Sequence, residues 1–100
     1  MVNTQTEIAM VCDEIKDLLL SKNIKYGDSA LNPLRVLSKS SPKEQILVRI
    51  DDKLSRIARG DILEEDEDVI NDLIGYLVLL KIALKREAQT SYNETLPTDL

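Results

Sequence analysis

Apolar positions recur at three- and four-residue steps in three stretches of the chain, separated by polar segments. The first stripe is Ile8, Val11, Cys12, Ile15, Leu18 and Leu19, which is one face of an α-helix. Thr4 with Glu7 three residues later has the form of a capping box, and Asn23 is a natural stop. A first helix is therefore expected over about residues 5–22. The second stripe is Ile46, Leu47, Ile50, Leu54, Ile57 and Ala58. Ser41 as N-cap, Pro42 at the first helical position and Glu44 mark its start, and Gly60 marks its end. This predicts a helix over about 42–59. The third stretch begins after the acids of EEDED and runs to KREA, about 64–87. Acids at the start and cations at the end suit the helix dipole.

The third helix is apolar nearly all round. Ile70, Leu73, Ile74, Leu77, Leu80 and Leu84 make one broad face, which Val69, Tyr76, Ala83, Val78 and Ile82 widen. A narrow stripe of Asp68, Asp72, Gly75 and Leu79 is left, with Asn71 beside it. Such a helix is buried on most sides. The fold class predicted is all-α: three helices forming a bundle that oligomerisation completes, with an ordered polar loop at 23–41. In that loop Gly27 permits positive φ, Asn32 precedes Pro33, and Leu34, Val36 and Leu37 are the expected anchors to the core.

Composition narrows this picture. One hundred residues make a single domain, expected over 1–87, with 88–100 a flexible polar tail. So short a chain buries a modest core, which again favours a dimer or tetramer. A net charge of −5 with mixed signs argues against direct nucleic-acid binding. There is no histidine, so Ser–His and Cys–His nucleophiles and imidazole metal sites are excluded within one chain. Cys12, the only cysteine, sits on the apolar stripe and is expected to be a buried structural thiol in a reducing compartment. The opening MVNTQTEIAM predicts no signal peptide, and Asn71, Asp72 and Lys81 interrupt the longest apolar run, so no membrane span and a cytoplasmic location are expected.

Candidate chemistry then concentrates in three places. Asp68 and Asp72 lie one turn apart, and a shared Mg²⁺ would remove their repulsion. Asp68 alone reads first as a solvated acid of the first turn; Asp72, inside the apolar run, needs a partner or a metal. Asp51 at the edge of the second stripe is either a third metal ligand or half of a salt bridge to a neighbouring helix. Arg49, Lys53 and Arg56 form a cationic ridge suited to phosphate. The loop adds Asn23, Tyr26, Asp28, Ser29 and Asn32, a denser polar cluster than a connector needs. Tyr26 there is placed either to stack on a base or to cap the core.

The segments KNIKYGDSALNPLRVLSK, VRIDDKLSRIARG and EDVINDLIGYLVLLKIAL together resemble a small helical domain of phages and bacteria, nucleotide modification associated domain 1. The resemblance spans about residues 14–85 and implies a nucleotide context. A more distant similarity is to the all-α NTP pyrophosphohydrolases of the MazG and dimeric dUTPase group. Those hold Mg²⁺ with ExxE and ExxD pairs on successive helices and assemble as dimers or tetramers. Asp72 matches the aspartate of ExxD and Asp52 the first acid of ExxE. Val69 stands where the second motif has an acid, however, and Lys53 and Arg56 replace acids of the first.

Three functions follow. One is an enzyme: Mg²⁺-dependent hydrolysis of a nucleoside triphosphate, with Asp51 and Asp72 catalytic and Asp51, Asp68 and Asp72 holding metal. Lys53 and Arg56 would neutralise phosphate, and Asn23, Tyr26, Ser29 and Asn32 would hold the rest of the ligand. The second is a non-catalytic binder that sequesters a nucleotide or a cyclic-nucleotide signal. The third is a helical interaction module.

Overall fold

A computed structural model of the chain describes residues 3–34, 37–60, 63–64 and 67–95, the side chains of 63, 64, 67 and 91–95 excepted. The fold is all-α, built from three helices: α1 (Thr4–Lys25), α2 (Pro42–Ala58) and α3 (Val69–Thr95). A minimal antiparallel ladder of β1 (Leu63–Glu64) and β2 (Glu67–Asp68) precedes α3, with Leu63 opposite Asp68 and Glu64 opposite Glu67. No described helix is long and apolar enough to cross a membrane.

Each helix starts and stops for a local reason. The N-cap of α1 is Asn3, whose side chain accepts from Thr6 N–H, so the expected cap at Thr4 is one residue late. The helix also outruns Asn23. Its stop is a Schellman motif, in which Asp28 N–H donates to Asn23 C=O (3.0 Å) and Gly27 N–H to Ile24 C=O (3.4 Å). That motif requires a left-handed residue, supplied by Gly27 at φ 62°. For α2 the expected start holds: Ser41 Oγ accepts from Glu44 N–H at 3.1 Å, and Pro42 opens the helix. Gly60 at φ 86° ends it.

The boundaries of α3 differ from expectation at both ends. It begins at Val69 because the Asp68 carboxylate accepts from Asn71 N–H at 2.9 Å and so caps the helix from outside. The acidic run therefore precedes the positive helix end and does not form its first turn. At the other end the helix continues to Thr95, so residues 88–95, expected in a loose tail, are helical; residues 96–100 lie outside the described part.

The core lies between α2 and α3, where Leu31, Ile46, Ile50 and Ala83 are buried with Leu73, Tyr76, Leu79, Leu80 and Ile82 packed on them. Val69 is fully buried as well. Lys43 meets Glu87 at 3.2 Å and Lys53 meets Asp72 at 3.4 Å, which makes the α2–α3 pair antiparallel. The loop is anchored by Leu31. The expected anchors fail, since Leu34 and Leu37 are 90% and 93% exposed and Val36 lies outside the described residues, as does Arg35.

The α1 helix buries no residue. Its stripe divides: Ile15, Leu18 and Leu19 are half-buried, while Ile8, Val11 and Cys12 are exposed, against the expectation of a buried thiol. The dock is Gly75 of α3. A Cβ there would stand 2.7 Å from Leu19 Cδ2, so glycine sets how closely α1 can approach. Gly75→Ala should change stability by no more than about 1 kcal/mol, because the helix-propensity gain of about that size offsets a rotation of the flexible Leu19 tip. Gly75→Leu leaves α1 no room and should cost about 1–3 kcal/mol in urea unfolding.

Candidate functional site

The C-terminal half of α1, the turn that follows it, and the facing edges of α2 and α3 enclose a cavity of about 490 Å³. Its floor is apolar, from Leu18, Leu19, Ile46 and Leu79. Its walls carry three cations, Lys22, Arg49 and Lys53; three amides, Asn23, Gln45 and Asn71; and two phenols, Tyr26 and Tyr76. Asp28 and Asp72 are its acids.

Asp72 lines the cavity from α3. Oδ1 accepts from Lys22 Nζ of α1 at 3.2 Å, and Oδ2 faces Lys53 Nζ of α2 at 3.4 Å. Lys53, 7% exposed, is the one buried charged side chain among the described residues. The helical repeat accounts for its burial: it follows Ile46 and Ile50 at seven and three residues, on the same buried line. The methylene stem fills that line while the ammonium reaches Asp72 and, at 3.9 Å, Asp52. Arg49, one turn earlier, is exposed and makes no ion pair among the described residues.

The turn forms the opposite wall. Asp28 also has positive φ, 59°. Its carboxylate accepts from Asn23 Nδ2 at 2.9 Å and from Asn32 Nδ2, and its carbonyl accepts from Asn32 N–H at 2.9 Å. The Asn23 amide, then the Asn32 amide, hold the Asp28 carboxyl below the usual carboxylate pKa, slight desolvation opposes them, and the charge of Arg86 adds to the lowering. Tyr26 stands at the mouth with Lys25 Nζ 5.4 Å from its ring centre.

Of the residues singled out in the sequence, Asn23, Tyr26, Ser29, Lys53 and Asp72 line this cavity. Asn32 stands behind the wall and braces Asp28. Arg56 pairs with Asp52 at 3.5 Å and is not part of the lining. The predicted metal trio is not assembled. Asp68 is occupied as the cap of α3, Asp51 is exposed, and both oxygens of Asp72 face ammonium groups. Among the described residues no group of three or more Asp, Glu, His or Cys could hold a metal ion. This donor set does not fit Mg²⁺, which needs hard oxygens free of competing cations. Gln45 and Tyr76 were not anticipated. Each lies one turn from a residue that was, Arg49 and Asp72 respectively, and helical spacing is the signal that would have found them.

A second depression of about 440 Å³ lies between the start of α2 and the later turns of α3. The Lys43–Glu87 pair is part of its lining, and no aromatic residue is. Comparison of the chain with protein-family models, with curated proteins and with solved structures finds no match in any of the three. Fold and site together define an all-α protein with a cation-lined, tyrosine-flanked cavity.

Two predictions follow from this geometry. Asp72→Asn removes a carboxylate 3.4 Å from the buried Lys53 and should lower stability by about 1–3 kcal/mol in urea unfolding. Asp51→Asn, on an exposed position, should change it by less than about 0.5 kcal/mol. The Asp28 lock should be acid-sensitive. Because its folded pKa is lowered, its contribution is complete above the unfolded value of about 3.9 and is lost as pH falls through the lower folded value. Amide exchange at residues 28 and 32 should therefore lose protection only under acid. In Asp28→Asn, which tolerates positive φ, that pH dependence should vanish.

Proposed function

We propose that this protein binds a nucleotide in the cavity between α1, α2 and α3 and holds it without hydrolysing it. The observation that carries this reading is the clustering of Lys22, Arg49 and Lys53 in the lining of one cavity in a chain of net charge −5. The overall charge repels anions, so three cations around one hollow mark a local exception to it. Lys22 and Lys53 are held apart by Asp72, each within 3.4 Å of it, and Arg49 adds a planar fork suited to phosphate oxygens. Tyr26 and Tyr76 offer faces for a base, and Asn23, Gln45 and Asn71 offer both donors and acceptors to its edge or to a sugar. A volume of about 490 Å³ falls in the range of small-molecule sites, roughly 300–1,000 Å³. The resemblance to nucleotide modification associated domain 1 points to the same ligand class.

Holding is favoured over cutting by the fate of the acids. A hydrolase of the pyrophosphohydrolase type needs carboxylates free to gather metal at the phosphates. Here the acid facing the cavity from α3 is neutralised by two lysines, and Lys53 and Arg56 stand where that motif has acids. The role this supports is sequestration of a nucleotide or of a nucleotide signal.

The test is a thermal-shift panel of mono-, tri- and cyclic nucleotides in EDTA. At least one should stabilise the protein, by about 2.7 kcal/mol at a hundredfold excess over its Kd. Arg49→Glu should weaken that ligand tenfold or more, and Tyr26→Ala should weaken it less. No shift with any nucleotide would contradict the proposal. Pyrophosphate release from a triphosphate with Mg²⁺ would replace it with the enzymatic reading.

A further inference from the structure

The charges around the cavity are few enough to count. Its lining holds three cations, Lys22, Arg49 and Lys53, against two acids, Asp28 and Asp72, a net charge of +1. Both lysines face one carboxylate, with their ammonium groups 3.2 and 3.4 Å from Asp72. Lys53 has Asp52 at 3.9 Å as well, and Asp52 in turn pairs with Arg56. The hydrogen-bond partners of the Asp28 carboxylate are amides, which leave its charge in place. Arg49 is the cation of the lining that makes no ion pair among the described residues. Lys25 Nζ, 5.4 Å from the Tyr26 ring centre, adds a positive charge at the mouth. Arg86, whose charge acts on Asp28, lines the other depression.

These charges are also unequally placed. Lys53 is buried and the floor is apolar, whereas Arg49, one turn earlier on α2, is exposed. A base suits the floor, and a phosphate suits the planar fork of Arg49 on the solvent side. A phosphate monoester carries about 1.5 to 2 negative charges at neutral pH, and a diester, which lacks the second ionisation, carries one. The positive balance of the lining, with Lys25 at the mouth, matches either. Each further phosphate adds charge that the lining does not offset. It meets the two acids of the lining and a chain of net charge −5. Among the described residues no acid cluster could bring Mg²⁺ to it as a counter-ion.

We infer that the ligand of this cavity is a nucleotide with a single phosphate group, a monoester or a cyclic diester, and that the triphosphate of the same nucleoside is discriminated against by charge. The inference rests on the nucleotide reading and narrows it to one form. Arg49 takes the phosphate. Asp28 and Asp72 are specificity residues, because their carboxylates oppose a longer phosphate chain in the same cavity that accepts one phosphate.

Calorimetric titration of the whole chain in EDTA tests it. The compounds are adenosine, guanosine, cytidine and uridine, each as the nucleoside, the 5′-monophosphate, the 3′,5′-cyclic monophosphate and the 5′-triphosphate. For the base that binds tightest, a single-phosphate form should bind about tenfold or more tighter than both the nucleoside and the triphosphate. The gap to the triphosphate should shrink between about 0.01 M and about 1 M salt, as the screening length falls from about 30 Å to about 3 Å. Asp28→Asn, with one acid fewer in the lining, should narrow that gap at low salt. Arg49→Ala, at an exposed position, should bind the single-phosphate form and the nucleoside within about threefold of each other. A triphosphate that binds tightest would overturn the inference and leave the nucleotide reading standing. So would a gap that neither salt nor Asp28→Asn changes, since size and not charge would then set it. No binding by any of the compounds would overturn both.

Discussion

Asp72 is the point through which the three helices are tied. It sits near the start of α3 and meets a lysine from each of the other two helices, Lys22 at 3.2 Å and Lys53 at 3.4 Å. One of those lysines is buried, so the arrangement is not a decorative surface pair. A buried ammonium without a counter-charge costs several kcal/mol, and α3 helps the fold avoid that cost by presenting Asp72 at 3.4 Å, with Asp52 of α2 at 3.9 Å. The same geometry holds two cations on the wall of the cavity. The tie between the helices and the cations of the cavity wall thus have one origin.

Around this tie the fold is economical. The α3 helix supplies a core line to α2, a glycine seat to α1 and an apolar line of Ile70, Leu77 and Leu84 that is about half exposed. Gly75 is the pivot of the second of these. It lies on the α3 line that also carries Asp72 and Leu79, so the place where Leu19 of α1 seats is also part of the cavity lining. A larger residue there would move Lys22, Asn23 and Tyr26 away from Lys53 together. The turn after α1 is stiffened independently by Asp28, whose two asparagine partners keep it ionised.

Much of this was legible in the sequence, and the failures have physical causes. The three helices, the Ser41–Pro42 start and the polar wall at Asn23, Tyr26 and Ser29 follow from periodicity, capping chemistry and turn residues, all of which are local. The all-round apolar α3 is expected to be buried on most sides, yet Ile70, Leu77, Val78 and Leu84 are 41–48% exposed, because which side meets which neighbour is a tertiary fact. The metal trio failed for the same reason. Asp51, Asp68 and Asp72 look alike as letters, yet one is exposed, one caps a helix and one pairs with lysines, and only packing distinguishes them. Lys53 is the counterpart error. It is expected in a cationic ridge with Arg49 and Arg56, and the structure buries it because its position repeats the Ile46–Ile50 line. Leu31 was passed over as an anchor because a single leucine in a polar turn carries no period.

The account stands or falls on whether Asp72 restrains cations or serves a metal. Calorimetric titration of a nucleoside triphosphate into native protein and into Asp72→Asn, both in EDTA, separates these directly. If Asp72 restrains Lys22 and Lys53, its neutralisation loosens its hold on both, and the variant should bind at least as tightly as the native protein despite its lower stability. If the native protein binds nothing until Mg²⁺ is supplied, and the folded variant binds nothing with or without it, then Asp72 is a metal ligand and the account is wrong.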